Sequence, residues 1–131
     1  MDILLVDDER LVRMCTQSML EELLTGTDIF YHHAGGADQA RAWIADHGAP
    51  SLGFVDYKMP KCSGIEFLVQ VHPICPNTVW VFLSGYDVSD QAESLRQCGV
   101  RHVLAKPVSL EDLSRILRES GFEKEMRRCC S

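Results

Sequence analysis

The chain is predicted to fold as an α/β domain in which a parallel sheet is covered by helices on both faces. Two observations predict it. Short apolar runs alternate with longer amphipathic segments from end to end. The most apolar run, VWVFL at 79–83, has the near-continuous hydrophobicity of a strand buried on both sides. No repeat, low-complexity tract or Pro/Gly/Ser linker divides the 131 residues, a length that suits one domain with its own core.

The elements follow in order. ILLV (3–6) reads as the first strand, and ERLVRMCTQSMLEELL (9–24) as the first helix, with Leu11, Met14 or Cys15, Ser18 or Met19, and Glu22 or Leu23 at helical spacing. IFYHHA (29–34) is a short second strand. The helix after it places Ala37, Ala40, Trp43 and Ile44 on one face and stops at Gly48. LGFV (52–55) is the third strand, although Gly53 inside it is a cost without an evident return. IEFLVQV (65–71) is a short helix ended by His72-Pro73, and VWVFL is the fourth strand. DVSDQAESLRQCG supplies a capped helix with Gly99 in the C-terminal stop position. HVLA (102–105) is the fifth strand. Ser109, with Asp112 three residues on, resembles a capping box opening a last helix that Gly121 closes. Trp43, Trp80, Phe54 and Phe82 are expected in the core. The polar segment 122–131 is expected to be a helix extension or the start of a linker beyond a domain spanning 1–121.

Composition removes several function classes. A net charge of -6 and a pI of about 5.3 argue against nucleic-acid binding by this chain, since a phosphate backbone needs clustered Lys and Arg. The amino terminus has neither a signal-peptide pattern nor a membrane span, so a cytoplasmic location without membrane contact is expected. Cys15, Cys62, Cys75, Cys98, Cys129 and Cys130 form no CxxC pair and are read as reduced thiols. His32 and His33 should point to opposite faces of their strand, and His47, His72 and His102 stand alone, so no chelating histidine pair is expected.

In open α/β sheets, ligands bind outside the carboxyl ends of the strands. Asp7 and Asp8 follow the first run, Asp56 the third, Ser84 the fourth and Lys106 the fifth. Three carboxylates on one rim repel each other unless a cation neutralises them. Mg²⁺ suits that task, because it takes oxygen ligands and commonly shares a phosphate oxygen. Asp8 and Asp56 are the expected direct ligands, with Asp7 acting through water. Lys106 offers a positive charge and Ser84 a hydrogen bond to phosphoryl oxygens.

Taken together, ILLVDDE, DYKMPKCSG, LSGYD and AKP, in this order and spacing over residues 2 to about 120, resemble the receiver domain of two-component response regulators. The resemblance implies a doubly wound, flavodoxin-like five-stranded sheet of order 2-1-3-4-5. It implies that Asp56 accepts a phosphoryl group from the phosphohistidine of a sensor histidine kinase or histidine phosphotransfer protein. By the same resemblance Asp7, Asp8, Asp56 and the backbone carbonyl of Lys58 hold Mg²⁺, Ser84 and Lys106 sense the phosphate, and the Lys106-Pro107 bond is cis. The resemblance further implies that the output passes to an effector protein or effector domain and that the domain catalyses only its own modification. Two positions depart from the family pattern. Val103 stands where an aromatic residue is common three places before the lysine, which argues against an aromatic rotamer switch. Lys58 and Tyr86 occupy the positions that in the family tune access of hydrolytic water.

Three other functions compete. An aspartyl-nucleophile, Mg²⁺-dependent phosphohydrolase would place a second acid two residues after the nucleophile, where this chain has Lys58. A receiver-like module acting without phosphorylation has no need to keep like charges packed together. Nucleotide or flavin binding lacks its glycine-rich turn, since Val6-Asp7-Asp8 stands in that place.

Overall fold

The computed structural model describes residues 1–26 and 28–127. The strands are β1 (Asp2–Val6), β2 (Phe30–Ala34), β3 (Leu52–Asp56), β4 (Val79–Ser84) and β5 (Val100–Ala105). The helices are α1 (Arg10–Leu23), α2 (Ala37–His47), α3 (Gly64–Val71), α4 (Ala92–Gln97) and α5 (Leu110–Glu119). All neighbouring strands pair in parallel, in the order β2-β1-β3-β4-β5, as expected.

Strand periodicity divides each apolar run between two cores. Ile3, Leu5, Phe54, Val81 and Leu83 pack with Leu20 of α1 and with Leu113, Ile116 and Leu117 of α5. Leu4, Val6, Val55, Trp80 and Phe82 pack with Ala40 and Ile44 of α2, Phe67 and Leu68 of α3, and Leu95 of α4. The central strands β3 and β4 are buried along their whole length, which is why their sequences show no alternation.

Gly53 now has a reason. It pairs with Trp80 across β3 and β4, and a Cβ on it would lie 2.2 Å from the indole ring. The missing side chain is the space that Trp80 fills. Gly64 permits close approach as well: a Cβ there would stand 2.3 Å from the carbonyl oxygen of Asp56. The start of α3 is thereby pressed against the end of β3.

Several expectations need correction. The buried stripe of α1 runs through Thr16 and Leu20, while Leu11 is 75% exposed and Met14 and Cys15 also face outward. Met19 and Leu23, also at the predicted spacing, do pack against this core, so spacing found the helix and the C-terminal half of its buried face but not the N-terminal half. The segment before α4 is a 3-10 turn (Ser89–Gln91), and no side chain caps α4 itself; Asp87 Oδ1 accepts instead from the Ser89 amide at 2.9 Å. Trp43 is half-buried rather than core. His47 does not stand alone, because it stacks on Trp43 at 4.9 Å and lies 6.2 Å from the ring of His32. His32 and His33 do face opposite ways, toward Asp2 and toward Gln17 of α1.

After α5 the chain does not extend the helix. Gly121, at φ 86°, turns it, and a short 3-10 turn (Glu123–Glu125) leads back to the end of α1. There Met126 bridges Leu24, and the Arg127 guanidinium donates to the carbonyls of Glu21 and Glu22. Phe122 and Met126 pack against the α1/α5 core. Cys15, Cys62, Cys75 and Cys98 are free thiols, and Cys129 and Cys130 lie outside the described residues.

Candidate functional site

The carboxyl ends of β1, β3, β4 and β5 bring Asp7, Asp56, Ser84 and Lys106 to one rim. The sheet register explains this: Val6 lies beside Val55, Asp56 beside Leu83, and Ser84 beside Ala105, so each polar residue leaves its strand at a similar level. Asp7, Asp56 and Ser84 are buried, whereas Asp8 is exposed at the mouth.

Asp7, Asp8 and Asp56 each offer a carboxylate oxygen, and these atoms lie within 4.8 Å of one another. Among the described residues, no other group of three His, Cys, Asp or Glu side chains is arranged this way. Lys106 Nζ reaches between them, 2.9 Å from Asp56 Oδ1 and 3.1 Å from Asp7 Oδ2. Burial pushes the Asp7 carboxyl above its ordinary value, and the negative charge of Asp56 adds to this, against the hydrogen bond from the Glu9 amide and the contacts with Lys106. Burial works against the Lys106 ammonium, yet hydrogen bonds to Asp56 and Asp7 outweigh it and raise its pKa. A hard divalent cation fits this all-oxygen, charge-crowded donor set better than a soft one.

Asp7 is held in place from several sides. Its Oδ1 accepts from the Glu9 amide at 2.8 Å, and its backbone carbonyl accepts from Arg13 Nη1 at 2.8 Å. Asp7 therefore serves the turn into α1 as well as the rim. The Ser84 hydroxyl is engaged locally, donating to the Tyr86 carbonyl at 2.9 Å and accepting from the Tyr86 amide at 3.0 Å. Lys106-Pro107 is cis.

Sequence reasoning missed two links between the β3–α3 and β4–α4 loops. Lys58 Nζ donates to the Tyr86 hydroxyl at 3.3 Å and lies 4.8 Å from its ring centre. The Tyr57 hydroxyl accepts from Gln91 Nε2 at 2.8 Å, while its ring packs on Phe82. No residue spacing announces such pairs, because they join loops far apart in sequence. Val103 is 46% exposed on β5.

The 2-1-3-4-5 sheet has counterparts among known proteins. The model of the response regulator receiver domain matches residues 3–118. The chain belongs to the response regulator receiver domain family. It is 31% identical over 113 residues to the transcriptional regulatory protein PdtaR of Mycobacterium tuberculosis, covering 85% of this chain and 52% of that protein. It is 27% identical over 117 residues to the uncharacterized transcriptional regulatory protein YesN of Bacillus subtilis, covering 89% of this chain and 31% of that protein. The receiver thus spans between about a third and about half of these curated relatives. A receiver domain from Methanospirillum hungatei superposes with a TM-score of 0.79 at 24% identity over 95% of this chain and 94% of that one, which shows the shared fold. The receiver fold is that of a signalling module of two-component systems, not of a typical enzyme. Among the described residues, no helix is long and apolar enough to cross a membrane.

Proposed function

We propose that Asp56 is the phosphoacceptor of this receiver, taking its phosphoryl group from the phosphohistidine of a sensor histidine kinase or a histidine phosphotransfer protein. One observation carries the reading: three carboxylate oxygens within 4.8 Å of one another, with the Lys106 ammonium between two of them. In the transfer, an Asp56 carboxylate oxygen forms a bond to phosphorus as the P–N bond to the donor imidazole breaks and its electron pair returns to the ring. Asp7, Asp8, Asp56 and the Lys58 backbone carbonyl would hold Mg²⁺, with Asp8 and Asp56 as its direct carboxylate ligands and Asp7 acting through water. Bound there, Mg²⁺ supplies neutralisation of the charge on the transferring group.

The chain's own residues do the rest. β3 holds Asp56 at the rim with its carboxylate nearly enclosed, so bulk water has little access to the reacting atoms. Lys106 contacts Asp56 and would pair with a phosphoryl oxygen. Ser84 would give up its bond to the Tyr86 carbonyl to donate to another. Such chemistry is mostly positioning and charge neutralisation, since a loose phosphoryl-transfer transition state asks for little covalent work. The output would be an altered protein contact with an effector protein or effector domain, and the setting would be cytoplasmic. The relatives' names as transcriptional regulators support an output in gene control.

The test is intact-mass measurement after incubation with Mg²⁺ and a small acyl phosphate. One phosphoryl group should appear on the native protein and none on Asp56→Asn. Repeated turnover of the donor without a labelled protein would favour the phosphohydrolase reading, and equal labelling of the variant would refute Asp56 as acceptor.

A further inference from the structure

Tyr86 is held by two groups that a phosphoryl group on Asp56 would attract. Its backbone is tied to the Ser84 hydroxyl through both its amide and its carbonyl, and its phenol is tied to the Lys58 ammonium by a hydrogen bond and a cation–π contact. Lys58 leaves the sheet two residues after Asp56, and Tyr86 two residues after Ser84, from neighbouring strands. The segment that carries Tyr86 is exposed over a short span. Gly85, Tyr86 and Asp87 are exposed, while Ser84 before them and Val88 after them are buried. Beyond Val88, Gln91 is fastened to Tyr57, whose ring is packed on Phe82.

A phenol and its ring are neutral partners for an ammonium, and a phosphoryl group is an anion of about two charges. Lys58 gains more from the anion than it loses by leaving Tyr86. The Ser84 hydroxyl has one proton, so donating it to a phosphoryl oxygen gives up the Tyr86 carbonyl. Both ties are therefore weakened by the same event. β5 offers no aromatic side chain to follow, since Val103 stands there.

We infer that Tyr86 is the conformational switch of this receiver: phosphorylation draws Lys58 and Ser84 away from it and frees the Gly85–Asp87 tip, while the Tyr57–Gln91 bond holds the start of α4. The inference rests on the reading of Asp56 as phosphoacceptor.

The chain has three tyrosines, Tyr31, Tyr57 and Tyr86, so 3-fluorotyrosine labelling gives three assignable ¹⁹F lines. Mg²⁺ with beryllofluoride loads the site, and the bound fluorides report that loading in the same spectrum. The Tyr86 line is expected to shift on loading while Tyr31, on β2, stays in place. In Lys58→Ala, an exposed position, the line should begin displaced toward the loaded position and move less on loading. Bound fluoride signals with an unmoved Tyr86 line would overturn the inference and leave the phosphoacceptor reading standing. An equal displacement in Lys58→Ala would overturn the role of Lys58 and with it the switch as stated. No bound fluoride signal would overturn the reading of Asp56 and this inference together.

Discussion

Replacing Lys106 with Met separates the two ways in which this rim can be neutralised. The ammonium contacts Asp56 at 2.9 Å and Asp7 at 3.1 Å, with both carboxylates buried. At an effective dielectric constant of about 20, each contact has a gross Coulomb energy of about 5 kcal/mol. Most of that is offset by the desolvation of three charges. Removing one partner from such a cluster leaves unpaired buried charge and costs about 3 kcal/mol, at the low end because Lys106 keeps some exposure to water. For a domain of this size that corresponds to a Tm lower by about 10 °C without metal. Added Mg²⁺ should then recover much of the loss, since the divalent ion no longer meets a competing ammonium. A tenfold gain in Mg²⁺ affinity adds about 1.4 kcal/mol of stabilisation at saturating metal. The assay is thermal or urea unfolding of native protein and Lys106→Met, each with chelator and with Mg²⁺. The variant should show the lower metal-free stability and the larger Mg²⁺ increment. Equal increments, or a metal-free variant as stable as the native protein, would refute this account of the charges.

Three further outcomes follow from the fold. Gly53→Ala drives a methyl group into the Trp80 ring and should cost about 1–3 kcal/mol in urea unfolding; in a Trp80→Leu background the same change should cost far less, and additivity would refute the proposed fit. Ending the chain at Gly121 removes the packing of Phe122 and Met126 and the Arg127 contacts with α1, and should lower stability by about 2–3 kcal/mol; an unchanged urea midpoint would mean that this strap contributes nothing. Burial lowers the pKa of His102 below its ordinary value of 6.5, against the pull of Glu119, so the folded state resists its protonation. Its contribution to stability is fully present above that value and is lost as pH falls through the lower folded pKa. The native protein should therefore lose more stability than His102→Gln between neutral pH and the folded pKa, and parallel stability curves would refute the assignment.

Much of the architecture was legible because strand and helix signals here agree with burial. β4 is apolar throughout and buried throughout, and Gly99 and Gly121 stop their elements with positive φ, as expected of them. The rim was legible because each of its residues directly follows an apolar run, so strand ends placed them before any contact was known. What could not be read depended on contacts between segments distant in sequence. Gly53 is explained only by Trp80, 27 positions later, and the face of α1 only by how α5 packs beside it. The ties of Tyr57 to Gln91 and of Lys58 to Tyr86 likewise join side chains that carry no signal individually. The turn at Gly121 was foreseen, but the return of 122–127 to α1 was not, because a polar segment can cover a helix end through backbone and guanidinium contacts without an apolar pattern.

The most direct measurement is peptide mapping after borohydride reduction of protein treated with a small acyl phosphate, which converts an aspartyl phosphate to homoserine at the modified position. Homoserine should appear at position 56 when Mg²⁺ is present and disappear when the metal is chelated. Homoserine at Asp7 or Asp8 instead, or labelling at 56 that ignores the metal, would contradict an acceptor whose reactivity depends on a cation held among these three carboxylates.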